Sequence, residues 1–298
     1  MTRDVKAVPQ DTITSKDNKW LKAFRAALKG KGPADGDALG VEGLKLVEDA
    51  LASGLEAEAL LVSEAGERDL AHLLEAASRS QTGVSRGRVL RATNKLFETV
   101  SGTESPQGVA ALFRQPVWGL EDLLQGRAGH SEPALVVAMA GVQDPGNVGT
   151  IVRSAEAFGA TGAIATRGTA DPWSPKALRA SAGSALRLPL LREMAPALLL
   201  AQLRISKVSI VTATARPGAG PRDRANLKDC LRGPVAVFVG SEGAGLPAEV
   251  EHAADARISI PMSEAVESLN AGVAAAIVLY EAAKIRRGHL QSKAAEQG

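Results

Sequence analysis

From Ala134 onward, short apolar segments alternate with segments of helical pattern, and this alternation constrains the fold more than any other feature of the sequence. The strand candidates in this half are ALVVAMAGV, GAIAT, VSIVTATA, VAVFVG and ARISIPM. Continuous apolar strands separated by helices are typical of a parallel sheet that is covered on both faces. The sequence therefore predicts an α/β domain over residues 134–288, with its ligand at the carboxyl ends of the strands.

The chain before this half has a mixed α/β pattern, and we predict a smaller domain over residues 16–115. Helical patterns lie at residues 15–30, 43–53 and 69–78, and strand patterns lie at residues 58–63 and 86–93. Ser15 is expected to cap the first helix, because its hydroxyl can accept a hydrogen bond from a free backbone N–H.

Two further features set the expected domain boundaries. Pro116 and Pro133 bracket a predicted linker over residues 116–133. Residues 1–15 and 289–298 are polar and are expected to be flexible tails.

Composition excludes several classes of protein. The single cysteine, Cys230, rules out an internal disulfide framework and a cysteine-rich metal site. The four histidines show no metal-ligand spacing, so we expect no metal. The chain start lacks the apolar stretch of a secretory signal, and the longest apolar run, residues 271–280, is half a membrane span. These features predict a soluble cytoplasmic protein without a membrane segment.

Charge is balanced overall but uneven along the chain. The net charge is +2, yet residues 79–95 carry five Lys or Arg residues and no acidic residue. Residues 204–232 carry seven basic residues against two acidic ones. These clusters are consistent either with solvated surfaces or with salt-sensitive contacts to nucleic-acid phosphates.

The segment DPGNVGTIVR, residues 144–153, joins a turn to a helix. Asn147 is expected to cap that helix. Gly149 and Arg153 are four residues apart and lie on one face, so a phosphate or ribose could approach the glycine beside the guanidinium. The alternative is an ordinary capped helix with a solvated arginine.

Two later segments have a similar character. VFVGSEGAGLP is a buried strand that enters a glycine-rich turn around Glu242, which either borders a ligand or precedes a helix. Ser268 and Asn270 stand where a long helix begins, and capping is the alternative to a functional role for both. That helix is apolar on nearly every side from Leu269 to Ile285, which predicts burial, in part against a second subunit.

Familiar catalytic patterns are absent from the sequence. It holds no phosphate loop, no dinucleotide fingerprint, no G-x-S-x-G elbow and no H-E-x-x-H pattern. Cys230 is expected to be an incidental or buried thiol rather than a nucleophile.

In their order along the chain, the three segments resemble the motifs of the SpoU (TrmH-like) family of the SPOUT superfamily, which are RNA ribose 2′-O-methyltransferases. The first motif, N-x-G-x-I-x-R, is matched by Asn147, Gly149, Ile151 and Arg153. The second, G-x-E-x-x-G-L, is matched by Gly240, Glu242, Gly245 and Leu246. The third, I-P-M followed by S-L-N, is matched by residues 260–262 and 268–270. Residues 174–189 are similar to the region between the motifs.

This resemblance implies a fold and a cofactor. It implies an α/β domain with a parallel sheet and a deep trefoil knot of the SPOUT type, and S-adenosylmethionine bound in the knot without a metal. Backbone contacts with the cofactor are implied for Gly240, Ile260 and Leu269. The family also implies a homodimer that forms through the knot domain.

The resemblance also implies a catalytic set, which consists of Arg153, Asn147, Glu242, Ser268 and Asn270. A guanidinium stays protonated, so Arg153 is expected to clamp a phosphate and stabilise alkoxide charge while phosphate or water accepts the proton. Asn147 is expected to orient Arg153 or the ribose. The other three are expected to hold the loops and the nucleotide.

The N-terminal part is similar to the small RNA-binding domain, related to ribosomal proteins, that precedes the catalytic domain in many family members. Residues 41–43 and 105–109 carry that likeness. We therefore expect a ribosomal RNA substrate. The alternatives are a tRNA 2′-O-methyltransferase and a non-catalytic RNA-binding protein on the same fold.

The sequence departs from the family pattern in the third motif. Glu264 stands where the family usually has glycine, and Ala271 and Gly272 stand where Val-Ser is common. Glu264 would add a carboxylate beside the cofactor, so the affinity for the cofactor is the property that it puts in question.

Overall fold

The computed structural model describes residues 10–29, 38–79, 88–125, 132–214, 227–263 and 265–296. The chain divides into two compact units, Met1–Val117 and Trp118–Gly298. The division falls inside the predicted linker, but residues 116–133 are not linker throughout. Helix α5, Leu120–Gln125, buries Leu123 in the apolar core of the second unit, and this burial attaches the helix to that unit.

The first unit is built on a mixed five-stranded sheet. Its strands are β1 Gln10–Ile13, β2 Ala38–Glu42, β3 Ala57–Ser63, β4 Arg88–Ala92 and β5 Val109–Arg114. Their order is β1-β4-β3-β5-β2, in which β5 runs antiparallel to both of its neighbours. The helices of this unit are α1 Lys19–Leu28, α2 Leu44–Ala52, α3 Leu70–Arg79 and α4 Asn94–Glu98.

Two expectations for the beginning of the chain are wrong. Residues 10–13 are not a flexible tail, because Ile13 is 3% exposed and β1 pairs in parallel with β4; residues 1–9 lie outside the described residues. Ser15 does not cap α1, because its hydroxyl accepts a hydrogen bond from the nearby Asp17 N–H. The cap is Asn18, whose Oδ1 accepts from Trp20 N at 2.8 Å.

The second unit contains the predicted parallel sheet. Its strands are β6 Leu135–Ala140, β7 Gly162–Thr166, β8 Leu190–Met194, β9 Ser209–Thr214, β10 Val235–Gly240 and β11 Ala256–Ser259. Their order is β11-β9-β10-β6-β7-β8, and all five pairings are parallel. The α/β class with a parallel sheet is confirmed. The edge strand β8 was not predicted, because polar residues interrupt its apolar pattern.

Helices accompany this sheet. They are α5, α6 Pro145–Ala157, α7 Pro175–Ala180, α8 Pro196–Ile205, α9 Leu227–Arg232, α10 Ala248–Ala253 and α11 Ala271–Glu296. Helix α11 continues past residue 288 to Glu296, so most of the segment expected as a flexible tail, residues 289–298, is helical. In the described part of the chain, none of the helices combines the length and the apolar character that crossing a membrane requires.

Arg286 attaches α11 to the backbone next to the parallel sheet. The residue is 7% exposed. Its guanidinium donates hydrogen bonds to four backbone carbonyl oxygens, those of Pro133, Ala134, Leu231 and Gly233. Burial lowers the pKa of Arg286 to about 10, although the negative charge of Glu132 opposes this effect. Since β6 and β10 begin next to these carbonyls, one side chain ties α11 to the start of both strands.

The strand order places the three sequence motifs at one edge. In the pairing of β10 with β6, Gly240 lies opposite Ala140. The turn that leads into α6 and the glycine-rich turn after β10 therefore begin side by side. The segment after β11 leads to the start of α11 at the same edge, because β11 also runs parallel to its neighbour.

Candidate active site

The first motif forms the start of α6. Asp144 caps the helix by accepting a hydrogen bond from Gly146 N, and Pro145 occupies the first helical turn. The expectation that Asn147 caps α6 is wrong, because an aspartate directly before a proline suits the cap position better. Lys176 approaches the Asp144 carboxylate to 3.1 Å, and together with the Gly146 N–H it lowers the pKa of Asp144.

Three side chains, one from each motif, form a hydrogen-bonded cluster. Asn147 Nδ2 donates to Glu242 Oε1 at 2.8 Å. Asn270 Nδ2 donates to Glu242 Oε1 at 2.7 Å and to Asn147 Oδ1 at 2.9 Å. We call Asn147, Glu242 and Asn270 the motif cluster. It joins positions that are 95 and 123 residues apart in the chain.

The motif cluster also defines the start of α11. Asn270 Oδ1 accepts from Gly272 N at 3.0 Å and from Val273 N at 3.3 Å, as a helix cap does. Glu242 Oε1 accepts a third hydrogen bond, from Ala271 N at 3.1 Å. The carboxylate thus lies at the positive end of a helix dipole, where negative charge is stabilised. The capping considered as the alternative for Asn270 is therefore observed, and the functional roles of Asn270 and Glu242 stay predictions.

The glycine-rich turn after β10 needs glycine at its first position. A Cβ atom on Gly240 would lie 2.4 Å from the Gly245 carbonyl oxygen, closer than atoms can approach. Backbone hydrogen bonds join Ser241 and Gly245 in both directions, at 3.0 and 3.1 Å, and Gly245 has a φ of +71°. This closed turn fixes the position of Glu242 at its centre.

A cleft of about 470 Å³ lies beside the motif cluster. Its walls come from the end of β9, the turn after β10, Ile260, Met262 and residues 267–269. All three residues expected to contact the cofactor, Gly240, Ile260 and Leu269, line it, and so do Glu242 and Ser268. The lining combines apolar side chains such as Val239 and Leu246 with backbone of the closed turn. These surfaces suit the flat apolar base and the polar groups of a nucleoside.

Arg153 is separate from this arrangement. It is exposed on α6 and is not among the residues that line the cleft. It has no hydrogen bond or ion pair to any other residue that the structure describes. Nor does Gly149 leave room for a ligand, because a Cβ there would lie 2.4 Å from the Ala177 carbonyl oxygen. That glycine allows α7 to pack closely against α6.

The expectations for Ser268, Glu264 and the two basic clusters have different outcomes. Ser268 is exposed at the cleft and makes no hydrogen bond within the described part of the chain. Glu264 lies outside the described residues, and so do residues 80–87 and 215–226 of the two basic clusters. Several described members of those clusters are ion-paired, namely Arg88 with Asp11, Arg91 with Glu67 and Arg204 with Asp255.

Sequence reasoning missed part of the site. It did not single out Asp144 as the cap of α6, although the Asp-Pro pair signals one. It also passed over Glu251 and Glu267, which line the cleft. Glu267 directly precedes Ser268, so its place beside the third motif was the available signal.

Comparison with known proteins bears directly on this site. The model of the SpoU rRNA Methylase family matches residues 134–280, and the model of an MRM3-like substrate binding domain matches residues 33–111. The chain is 36% identical over 250 residues to an uncharacterized tRNA/rRNA methyltransferase of Mycobacterium avium (strain 104), covering 83% of this chain and 78% of the relative. The chain belongs to the SpoU rRNA methylase family.

Other relatives of this SpoU family member are similar over nearly their full length. The 23S rRNA (guanosine(2553)-2′-O)-methyltransferase RlmP of Bacillus subtilis (strain 168) is 30% identical, over 90% of this chain and 97% of RlmP. The crystal structure of an AdoMet-bound rRNA methyltransferase from Sinorhizobium meliloti superposes with a TM-score of 0.75 and 30% identity, over 92% of this chain and 98% of that one. The expectations of the family and of an RNA methyltransferase are confirmed.

Proposed function

We propose that this protein transfers a methyl group from S-adenosylmethionine to a ribose 2′-hydroxyl of ribosomal RNA. The observation that carries the proposal is the motif cluster, which joins Asn147, Glu242 and Asn270 beside a nucleoside-sized cleft. RlmP, which covers nearly the whole chain, is named for 2′-O-methylation of 23S rRNA and supports ribosomal RNA over tRNA.

The cleft residues fit S-adenosylmethionine. Gly240, Ile260 and Leu269 would hold it through backbone groups and apolar contact, and bound S-adenosylmethionine supplies an activated methyl group. The closed turn at Ser241–Gly245 is fixed by its own hydrogen bonds, so this wall of the cleft is ordered before the ligand arrives. The deep trefoil knot belongs to this proposal, and the position of β10 between β6 and β9 supports it.

The reaction requires alignment of the two reactants and removal of the 2′-hydroxyl proton. Arg153 would bind the adjacent RNA phosphate through its planar fork and stabilise the developing alkoxide. The proton would pass to that phosphate or to water, because the guanidinium already holds its own. The motif cluster would hold the loops in place, and Ser268 would form a hydrogen bond to the nucleotide through its free hydroxyl.

The homodimer is part of this proposal, and exposed apolar residues on α11 support it. Val273, Ile277 and Tyr280 are 47%, 36% and 50% exposed, and their spacing places them on one face of α11. We propose that a second copy of the chain covers this face. Arg153, which does not line the cleft of its own chain, would then act at the cleft of the partner. Mixing Arg153→Ala with a variant whose own cleft is blocked, Gly240→Leu, should then restore activity that each lacks alone.

The first unit would bind the RNA, as its match to a substrate binding domain supports. Cytoplasmic location and the absence of a metal stay predictions. The test of the substrate is methyl transfer from labelled S-adenosylmethionine to purified, unmodified 23S rRNA and to bulk tRNA, with the Arg153→Ala protein as control. We expect label in rRNA only. Label in tRNA alone would favour the tRNA alternative, and binding without transfer to either would favour a non-catalytic protein.

A further inference from the structure

The charged side chains that line the cleft are all of one sign. Of the described residues that line it, three carry a carboxylate, namely Glu242, Glu251 and Glu267, and none carries a cationic side chain. An unbalanced cleft of this kind favours a positively charged ligand over a neutral one of the same shape.

Two of the three carboxylates are already engaged by the protein. Glu242 accepts three N–H donors in the motif cluster. Glu251 forms an ion pair with Arg257 at 3.2 Å, and both side chains are partly buried. These partners offset most of the charge that either group could present to a ligand.

Glu267 differs from both. It is exposed at the cleft, next to Ser268, and it has no hydrogen bond or ion pair to another described residue. The nearest positive end of a helix, that of α11, is already occupied by the Glu242 carboxylate at Ala271 N. Glu267 is therefore the carboxylate whose charge remains available to a ligand in the cleft.

We propose that Glu267 is a specificity-determining residue that favours S-adenosylmethionine over the product S-adenosylhomocysteine. The inference rests on the proposed function. In the transfer the methyl–sulfur bond would break with its electron pair left on sulfur, and a carbon–oxygen bond would form as the 2′-hydroxyl gives its proton to the adjacent phosphate or to water. The ligand thereby changes from a cation to a neutral molecule of nearly the same shape, and its net attraction to the Glu267 carboxylate is lost. Glu267 would promote exchange of product for fresh cofactor.

The test is isothermal titration of the full-length protein and of Glu267→Gln with three ligands. These are S-adenosylmethionine, the analogue sinefungin, which carries an ammonium group in place of the sulfonium, and S-adenosylhomocysteine. Loss of an exposed carboxylate should weaken both cationic ligands about two- to fivefold and leave the neutral one within about 1.5-fold. The difference should shrink at high salt, because salt screens exposed charges.

Two variants serve as controls. Glu249→Gln removes an exposed carboxylate that does not line the cleft, and it should leave all three affinities unchanged. Glu267→Asp keeps the charge and should keep most of the preference for the cationic ligands.

Equal weakening of all three ligands by Glu267→Gln would overturn the inference, because it would place Glu267 against a group that they share. No change for any ligand would overturn it as well. If the unaltered protein bound none of the three ligands, the proposed function itself would fail, which separates the two outcomes.

Discussion

The surroundings of Arg286 and Arg153 show two opposite uses of the same guanidinium group. Arg286 is buried and donates to four backbone carbonyls, at the start of β6 and β10. Arg153 is exposed on α6 and has no partner among the described residues. A buried charge is tolerated only when its donors are satisfied, whereas an exposed arginine without a partner is free to bind a phosphate. We infer that Arg286 holds the fold and that Arg153 acts on the RNA.

The largest expected effect is on catalysis. Arg153→Ala should lower the rate of methyl transfer at least about 100-fold, because it removes the charge that stabilises the alkoxide. The free energy of unfolding and the affinity for S-adenosylmethionine should stay close to those of the unaltered protein. Arg153→Lys should restore little activity, since a point charge replaces a planar fork. Single-turnover rates with saturating RNA measure this effect, and a rate for Arg153→Ala near the original would remove Arg153 from the reaction.

The second prediction concerns Arg286, for which we expect a loss of stability instead of a loss of catalysis. Arg286→Met should lower the free energy of unfolding by about 3 kcal/mol, because it removes the four hydrogen bonds that the buried Arg286 side chain donates to backbone carbonyl oxygens. Since burial lowers the pKa of Arg286 from its ordinary value to about 10, the cost of burying the charge is fully present at neutral pH, and these hydrogen bonds offset it. Urea unfolding of the two proteins provides the measurement. A loss below about 1 kcal/mol would mean that the carbonyls find other donors.

A smaller effect is expected within the motif cluster. Asn270→Ala should lower the free energy of unfolding by about 1 kcal/mol, because it removes the cap of α11. It should also weaken cofactor binding. Asn270 donates a hydrogen bond to Glu242 and directly follows Leu269, and both of these residues line the cleft. Thermal unfolding with and without S-adenosylmethionine separates the two effects. Asn18→Ala, which removes the cap of α1 in the other unit, is the matched control and should change stability without changing cofactor affinity.

The sequence predicted most of what depends on local pattern. The strands VAVFVG and GAIAT coincide with β10 and β7, because continuous apolar runs mark buried parallel strands. The cap of α6 was assigned to Asn147 instead of Asp144 because both residue types cap helices, and only the geometry shows which one faces the free N–H groups. The contact between Asn147 and Glu242 was beyond prediction from residues alone. It depends on β10 lying next to β6, which is a property of the strand order.

The position of the methyl group in the product tests the central claim most directly. Ribosomal RNA methylated with labelled S-adenosylmethionine would be hydrolysed in alkali, which cleaves RNA only where a free 2′-hydroxyl can attack the neighbouring phosphate. Ribose methylation predicts label in alkali-resistant dinucleotides that are absent when Arg153→Ala is used. Label in mononucleotides would place the methyl group on a base and contradict the account.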